Sequence, residues 1–363
     1  GHRMNEVVLA TLVDHAIAMS RRLGDPTALG AALYAKTLAL RRPDQIRERL
    51  FHRDESVAVA RSLDDRPALL DALIFRIDDL LAVGDIAAVD RDLAEVAAVA
   101  EEIGEPFYDY CLVTKQVMRT LLAGRFGEAE QLAQQSMDCS RHMDVDNAEG
   151  VYGMQMFSIR RLQGGLGALA PVVAHFVATH ADAARWRPGL AVIYSELGDA
   201  ERAREAFEPL AAGDFADLPH DSLWLTALSY LADVCAFLGD AARAEVLYRL
   251  LAPYGSQAVV VGNSITCNGA VSRSLGWLAA TRSDWDAAER HFRHAVEFNE
   301  RVQALPWLAQ TRFQYAAMLL ARGGPDDRTR ADALLAEALE AARALGMASL
   351  ARNVEALRPA AAD

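Results

Sequence analysis

One spacing recurs through the second half of the chain and restricts what it can fold into. A first copy runs Ala191, Tyr194, Gly198, Ala203, Phe207, Leu210; a second Ala232, Cys235, Gly239, Ala244, Tyr248, Leu251; a third Gly276, Ala279, Ser283, Ala288, Phe292, Ala295. Each copy has internal steps of 3, 4, 5, 4 and 3 residues. Steps of three and four keep side chains on one face of a helix. The Gly or Ser in the middle stops one helix before the next begins. A small residue lets two helices come close, and the aromatic fills the space between them. These are the demands of a helix–turn–helix unit that stacks on its own copies.

Turn signals mark the whole chain at a similar step. They fall at Arg42-Pro43, Gly84-Asp85, Gly124-Arg125, Gly164-Gly165, Gly198-Asp199, Gly239-Asp240, Ser283-Asp284 and Gly323-Gly324, with steps of 42, 40, 40, 34, 41, 44 and 40 residues. This is longer than the tetratricopeptide (TPR) unit of about 34 residues. Ala and Leu, the strongest apolar helix formers, dominate a composition that is 52% hydrophobic and only 7% aromatic. The fold predicted is all-α: a right-handed superhelical solenoid of about eight TPR-like helical hairpins, with no sheet. Asp after the turn glycine is read as a helix N-cap. Residues 209–219 read as a long connection. Val259-Val260-Val261 is β-like but short, and reads as an extended loop packed between repeats.

Gly1 to Met4 read as the remnant of a cleaved tag, and residues 5–359 as one continuous repeat domain. The helical pattern starts at Asn5 at once, which suggests a piece excised from a longer protein. A first helix is expected to reach Leu23 and a last one to run from Met347 to Leu357. Cys111, Cys139, Cys235 and Cys267 have no paired spacing, so free, largely buried thiols in a reducing compartment are expected. There is no signal peptide and no apolar run long enough to cross a bilayer, which points to the cytoplasm.

The chemistry-bearing motifs are sparse. The net charge is −13 without a Lys/Arg cluster, so no direct nucleic-acid binding is expected. Val261-Gly262-Asn263-Ser264 lacks the Lys of a phosphate loop. Gly269 and Gly276, seven apart, read as close-contact positions on one helix face. His291 and His294, three apart, read as surface histidines rather than metal ligands; His175 and His180 have poor helical spacing for joint ligation. No Gly-x-Ser-x-Gly occurs. No catalytic residue, metal or cofactor is assigned, and the chain is read as not an enzyme.

The polar and aromatic residues on the first helix of each pair say more, because that helix usually lines the concave side of such arrays. Tyr108, Arg119, Tyr152, Gln155, Arg273, Trp307, Arg312 and Tyr315 are the candidates for binding a ligand or partner. Arg312 and Tyr315 share a face, Trp307 flanks it and Arg273 lies one unit away. The competing reading buries Trp307 and Tyr315 between repeats and pairs Arg312 with a carboxylate.

Four stretches carry a resemblance: Arg187 to Asp199, Val259 to Gly262, Leu275 to Ala280, and Pro306 to Thr311 continuing through Tyr315 to Arg322. Over Trp186 to Met347 the sequence resembles the C-terminal TPR-like regions of bacterial STAND-type signalling ATPases. These are cyclase-linked, LuxR-type or kinase-linked regulators, and the maltose-regulon activator is of related arrangement. The resemblance implies a non-catalytic sensor that binds a small-molecule effector or protein partner. It also implies ATPase and output domains elsewhere in a longer parent chain, since no Walker motif or DNA-reading helix occurs here. Two other readings are a free-standing scaffold for protein–protein assembly and an enzyme with an unrecognised pocket.

Overall fold

The computed structural model describes residues 2–40, 42–141, 143, 147–179 and 185–358, with the backbone alone for 2–10. Gly1, His180 and the boundary at Pro359 lie outside the described residues. Among the described residues there are 18 α-helices and one two-stranded sheet. The first helix, α1, spans His2–Leu23 and so includes three of the residues read as a tag remnant.

The helices between the terminal two follow in eight successive pairs that break where the sequence predicted; in seven of them the two helices pack against each other, and those of the fourth make little direct contact. The pairs are α2 (Pro26–Ala39) with α3 (Ile46–Leu63), α4 (Arg66–Val83) with α5 (Ile86–Ile103), α6 (Pro106–Leu122) with α7 (Phe126–Ser140), and α8 (Ala148–Gln163) with α9 (Ala170–Thr179). Then follow α10 (Arg187–Glu196) with α11 (Ala200–Ala211), α12 (Trp224–Leu238) with α13 (Ala241–Leu251), α14 (Val271–Thr281) with α15 (Trp285–Arg301), and α16 (Leu305–Arg322) with α17 (Asp327–Leu345). The last helix, α18, is Ala348–Leu357. α11 runs through Pro209, so the connection after it starts later than predicted.

Local chemistry explains the turns. Asp25, Asp65, Asp85, Asp199, Asp240 and Asp284 each accept a hydrogen bond from the backbone N–H three residues on, at 3.0–3.3 Å. Each satisfies one of the free N–H groups at a helix start and places a negative charge at its positive end. The small–aromatic pairing also holds. A Cβ on Gly276 would lie 3.0 Å from the Phe292 ring. Gly276 therefore admits a residue of α15, the following helix. Ala191, Phe207, Ala232 and Phe292 are all fully buried.

The sheet overturns one expectation. Ala258–Val261 (β1) and Thr266–Ala270 (β2) pair antiparallel, with a bulge between Ala258 and Val260. The valine run is thus a strand. β-Branched residues suit the pleat, and the partner strand lies only a short turn away. Gly269 belongs to β2 and not to a helix face. Its φ is +70°, and a Cβ there would lie 2.7 Å from both Trp307 and Asn299. Only glycine combines that backbone with that proximity.

The hairpin sits where the two halves of the chain meet. It packs on α4, α6 and α8 of the first half and on α12, α14, α15 and α16 of the second. Gln257 Nε2 donates to the Pro43 carbonyl at 2.9 Å, and Ser264 Oγ donates to Asp78 at 2.5 Å. Directly, α6 touches α16 and α8 touches α18. Arg119 reaches Gln303 at 2.6 Å. One core cluster runs from Val57 through Met118 and Phe292 to Val354, so the early and late helices share a core. No helix among the described residues is long and apolar enough to cross a membrane.

Candidate functional site

The residues chosen from the sequence fall into two groups. Arg273 and Trp307 lie inside, 1% and 3% exposed. The Arg273 guanidinium donates to both Asp233 oxygens at 2.8 and 3.1 Å and to Gln314 at 3.1 Å. It also stands 5.3 Å from the Trp307 ring centre. Arg161 approaches from α8, donating to Glu196 at 2.5 Å and Asp233 at 2.8 Å, with its guanidinium 5.5 Å from the same indole. Trp307 Nε1 donates to the Cys267 carbonyl at 2.8 Å, fastening α16 to β2. The network joins α8, α10, α12, α14 and α16.

Its electrostatics follow from two cations sharing one carboxylate. Burial opposes ionisation of Asp233, but Arg273 and Arg161 prevail and hold its pKa below the ordinary carboxylate value. Glu196 differs: its side chain is 32% exposed, and Arg161 is its partner at 2.5 Å. Such groups keep their charges only because each has a partner.

Tyr315 and Arg312 point elsewhere. Tyr315 is buried, stacks on Phe292 at 5.6 Å and donates to Glu289 at 3.1 Å. Arg312 pairs with Glu300 at 3.0 Å and Glu337 at 2.9 Å. Arg119 pairs with Asp90 at 2.7 Å. Tyr152 is half-buried and donates to Gln134 at 3.3 Å. Gln155 is fully buried, and neither amide atom finds a partner among the described residues. The structure thus unites Arg273 with Trp307 but does not bring Arg312 or Tyr315 to them. The rows of polar residues mark contacts between helices.

The histidines read as surface residues are half-buried. His291 Nε2 is 2.9 Å from the Tyr248 hydroxyl, and His294 Nδ1 is 3.0 Å from Ser272 Oγ. Each ring is taken up by a hydroxyl from an adjacent helix. Among the described residues no group of three or more His, Cys, Asp and Glu is placed to hold a metal. Cys235 and Cys267 are buried and Cys111 is half-buried; loss of solvent raises their thiols to about 12, 12 and 11. They remain protonated, poor nucleophiles at neutral pH.

Sequence reasoning missed a cavity of about 930 Å3 between α8, α10, α12 and β1. Its walls include Met154 and Phe157 of α8, Phe176 of α9, Trp186, and Tyr230 of α12. Phe157 and Tyr230 lie 5.7 Å apart, and Phe176 meets Trp186 edge-on at 6.1 Å. Trp186 can approach because α8 offers Gly153, where a Cβ would lie 3.3 Å from the indole. Tyr230 connects the cavity to the polar network, since Arg161 stands 5.1 Å from its ring centre. The available sequence signal was Thr226 with Tyr230: four apart, they put a hydroxyl and a phenol on one face of an apolar helix.

A second cavity, of about 500 Å3, lies across β1 and has more charged residues on its walls, among them Arg49, Arg53, Asp78 and Asp79. Val260 lines this one and Val261 the larger. Successive strand residues face opposite ways, so β1 is a wall between the two.

No protein-family model matches the sequence, and no curated protein is significantly similar to it.

Proposed function

We propose that the chain is a right-handed superhelical solenoid of TPR-like hairpins, working as the non-catalytic sensor domain of a bacterial signalling ATPase or transcriptional regulator. It acts in the cytoplasm and takes its effector inside the array. Seven helix pairs that pack together, and the packing of alternate helices, α4 on α6, α10 on α12 and α12 on α14, support the architecture. One observation carries the function: the inner side of the array encloses an aromatic cavity of about 930 Å3. Small-molecule sites are concave, mostly apolar and few per protein.

The full chain titrated with a collection of small metabolites, followed by melting temperature, tests this. A compound that binds only the folded state raises the midpoint. At least one class of compound is expected to do so without being consumed. Turnover of the compound, or a midpoint that no compound moves, overturns the reading.

A protein-partner reading rests on α1. Leu12, Met19 and Leu23 are 60, 52 and 73% exposed, and their spacing of seven and four puts them on one face. That stripe suits the ATPase part of a longer parent chain, or another partner if the protein is a scaffold. A Met19→Glu chain that still joins its partner as before would remove this reading.

A further inference from the structure

Taking from the sensor reading only that the effector sits inside the array, we propose that the cavity between α8, α10, α12 and β1 holds one uncharged, ring-bearing small molecule, gripped by aromatic faces and one hydrogen bond to Thr226. The size fits: about 930 Å3 lies at the upper end of the roughly 300–1,000 Å3 of drug-sized sites. So does the surface. Phe157, Phe176, Trp186 and Tyr230 come from four separate parts of the chain and converge on one space. Aromatic side chains prefer offset or edge-on partners, and rings set at 53° and 84° to one another present both faces and edges to an occupant.

Charge narrows the class. Among the described residues, Arg185 is the only ionisable side chain on the walls besides the Tyr230 phenol. It stands at the rim, 63% exposed, and is engaged by Asp221 at 3.4 Å. A charged ligand would lose its water and find no free counter-charge among the described residues, which is costly. An uncharged ring system loses little.

The polar contact comes from Thr226. The residue is 5% exposed and lines the cavity, and its hydroxyl has no hydrogen-bond partner among the described residues. A helical Thr commonly bonds the carbonyl one turn back; this one does not. In the proposed complex a χ1 rotation brings this buried hydroxyl to the space, where it can donate or accept. A buried hydroxyl left unpaired costs stability, so a ligand that satisfies it gains by the same measure.

Two fluorescent probes that differ in one group test this on the full chain: N-phenyl-naphthylamine, which is neutral, and its sulfonated analogue, anilinonaphthalene sulfonate. The neutral probe is expected to saturate at one per chain, with energy transfer from tryptophan that is reduced in Trp186→Phe. The sulfonate is expected to bind at least about tenfold more weakly, as an uncompensated buried charge demands. Ala227→Phe, which fills the cavity from α12, should abolish neutral-probe binding while the helical circular dichroism is kept. If that variant does not fold, Met154→Trp fills the same space from α8. Thr226→Val should weaken the neutral probe about threefold to tenfold without lowering the melting temperature. Equal binding of the sulfonate, undiminished binding to the filled variants, or no effect of Thr226→Val overturns the proposal. A metabolite that still stabilises the filled variants would overturn the cavity assignment and leave the sensor reading standing.

Discussion

The Lys115 ammonium on α6 donates to the backbone carbonyl of Asn263 at 2.6 Å, across 148 residues of sequence. The same ammonium pairs with Asp78 on α4, which also accepts from Ser264. A single buried cation therefore binds two early helices to the tip of the hairpin. Lys115→Met is expected to leave Asp78 without its counter-charge and to cost about 3–5 kcal/mol. Urea unfolding would measure it. Native-state hydrogen exchange should show the amides of the hairpin tip losing protection first. A loss below about 1 kcal/mol would mean that solvent replaces the lysine, as it does for exposed pairs.

Arg273 is expected to matter for stability more than for any surface contact. Arg273→Ala removes one of the two cations that keep Asp233 ionised, and should cost about 3–5 kcal/mol. Arg273→Lys should recover only part, because an ammonium cannot span both Asp233 oxygens and Gln314 as the guanidinium fork does. Thermal melts of the two variants separate these outcomes.

Acid should loosen the C-terminal helices. Burial works against ionisation of Glu289, but hydrogen bonds from Arg322 and Arg330 bring its pKa down from 4.5 to about 2. Hydrogen bonds from Arg322 likewise take Asp327 from 3.8 to about 2. Both carboxyls titrate lower in the folded chain than in the unfolded one. Their stabilisation is therefore complete above about pH 5 and is lost as pH falls towards 2. The melting temperature should drop steeply across that window. Glu289→Gln should lower it at neutral pH and make the acid slope shallower.

Two core positions should respond in opposite directions. Gly276→Leu meets the Phe292 ring, where a bare Cβ would already lie at 3.0 Å, and should cost about 1–3 kcal/mol. Gln155→Met exchanges a fully buried, unpartnered amide for an apolar side chain of similar length. It should raise stability by about 1–2 kcal/mol. Differential scanning calorimetry reads both.

The helix pairs were legible because their cause is local. Small and aromatic residues at fixed steps, with glycine and aspartate at the turns, act within some forty residues, and each unit repeats the signal. The hairpin was not legible. Val259–Val261 is short, and what makes it a strand is its partner β2 together with burial against helices far away in sequence. The inner network was legible in part: the competing reading, with Trp307 and Tyr315 buried and Arg312 paired with a carboxylate, agrees with the contacts, whereas the burial of Arg273 was not foreseen. Arg273 and Trp307 break an apolar pattern, and a sequence does not distinguish a polar residue facing solvent from one facing another helix. Asp233, the carboxylate that pairs with Arg273, lies forty residues earlier. The cavity walls come from Phe157, Phe176, Trp186 and Tyr230, none of which is a repeating position.

The contacts of α6 with α16 and of α8 with α18 set this chain apart from an open array. Where each unit touches only its neighbours, stability is a sum of local terms, and a unit can be removed with proportionate loss. Here, Gly164 at the end of α8 lies so close to Ser349 that a Cβ would come within 2.7 Å of it. Everything between these residues must be present, in register, for the ends to meet. Excising one inner pair would shift that meeting point and unmake contacts at both ends at once. The core that links Val57 to Val354 is thus expected to unfold as a unit, and its folding to wait for contacts that are distant in sequence, which slows folding.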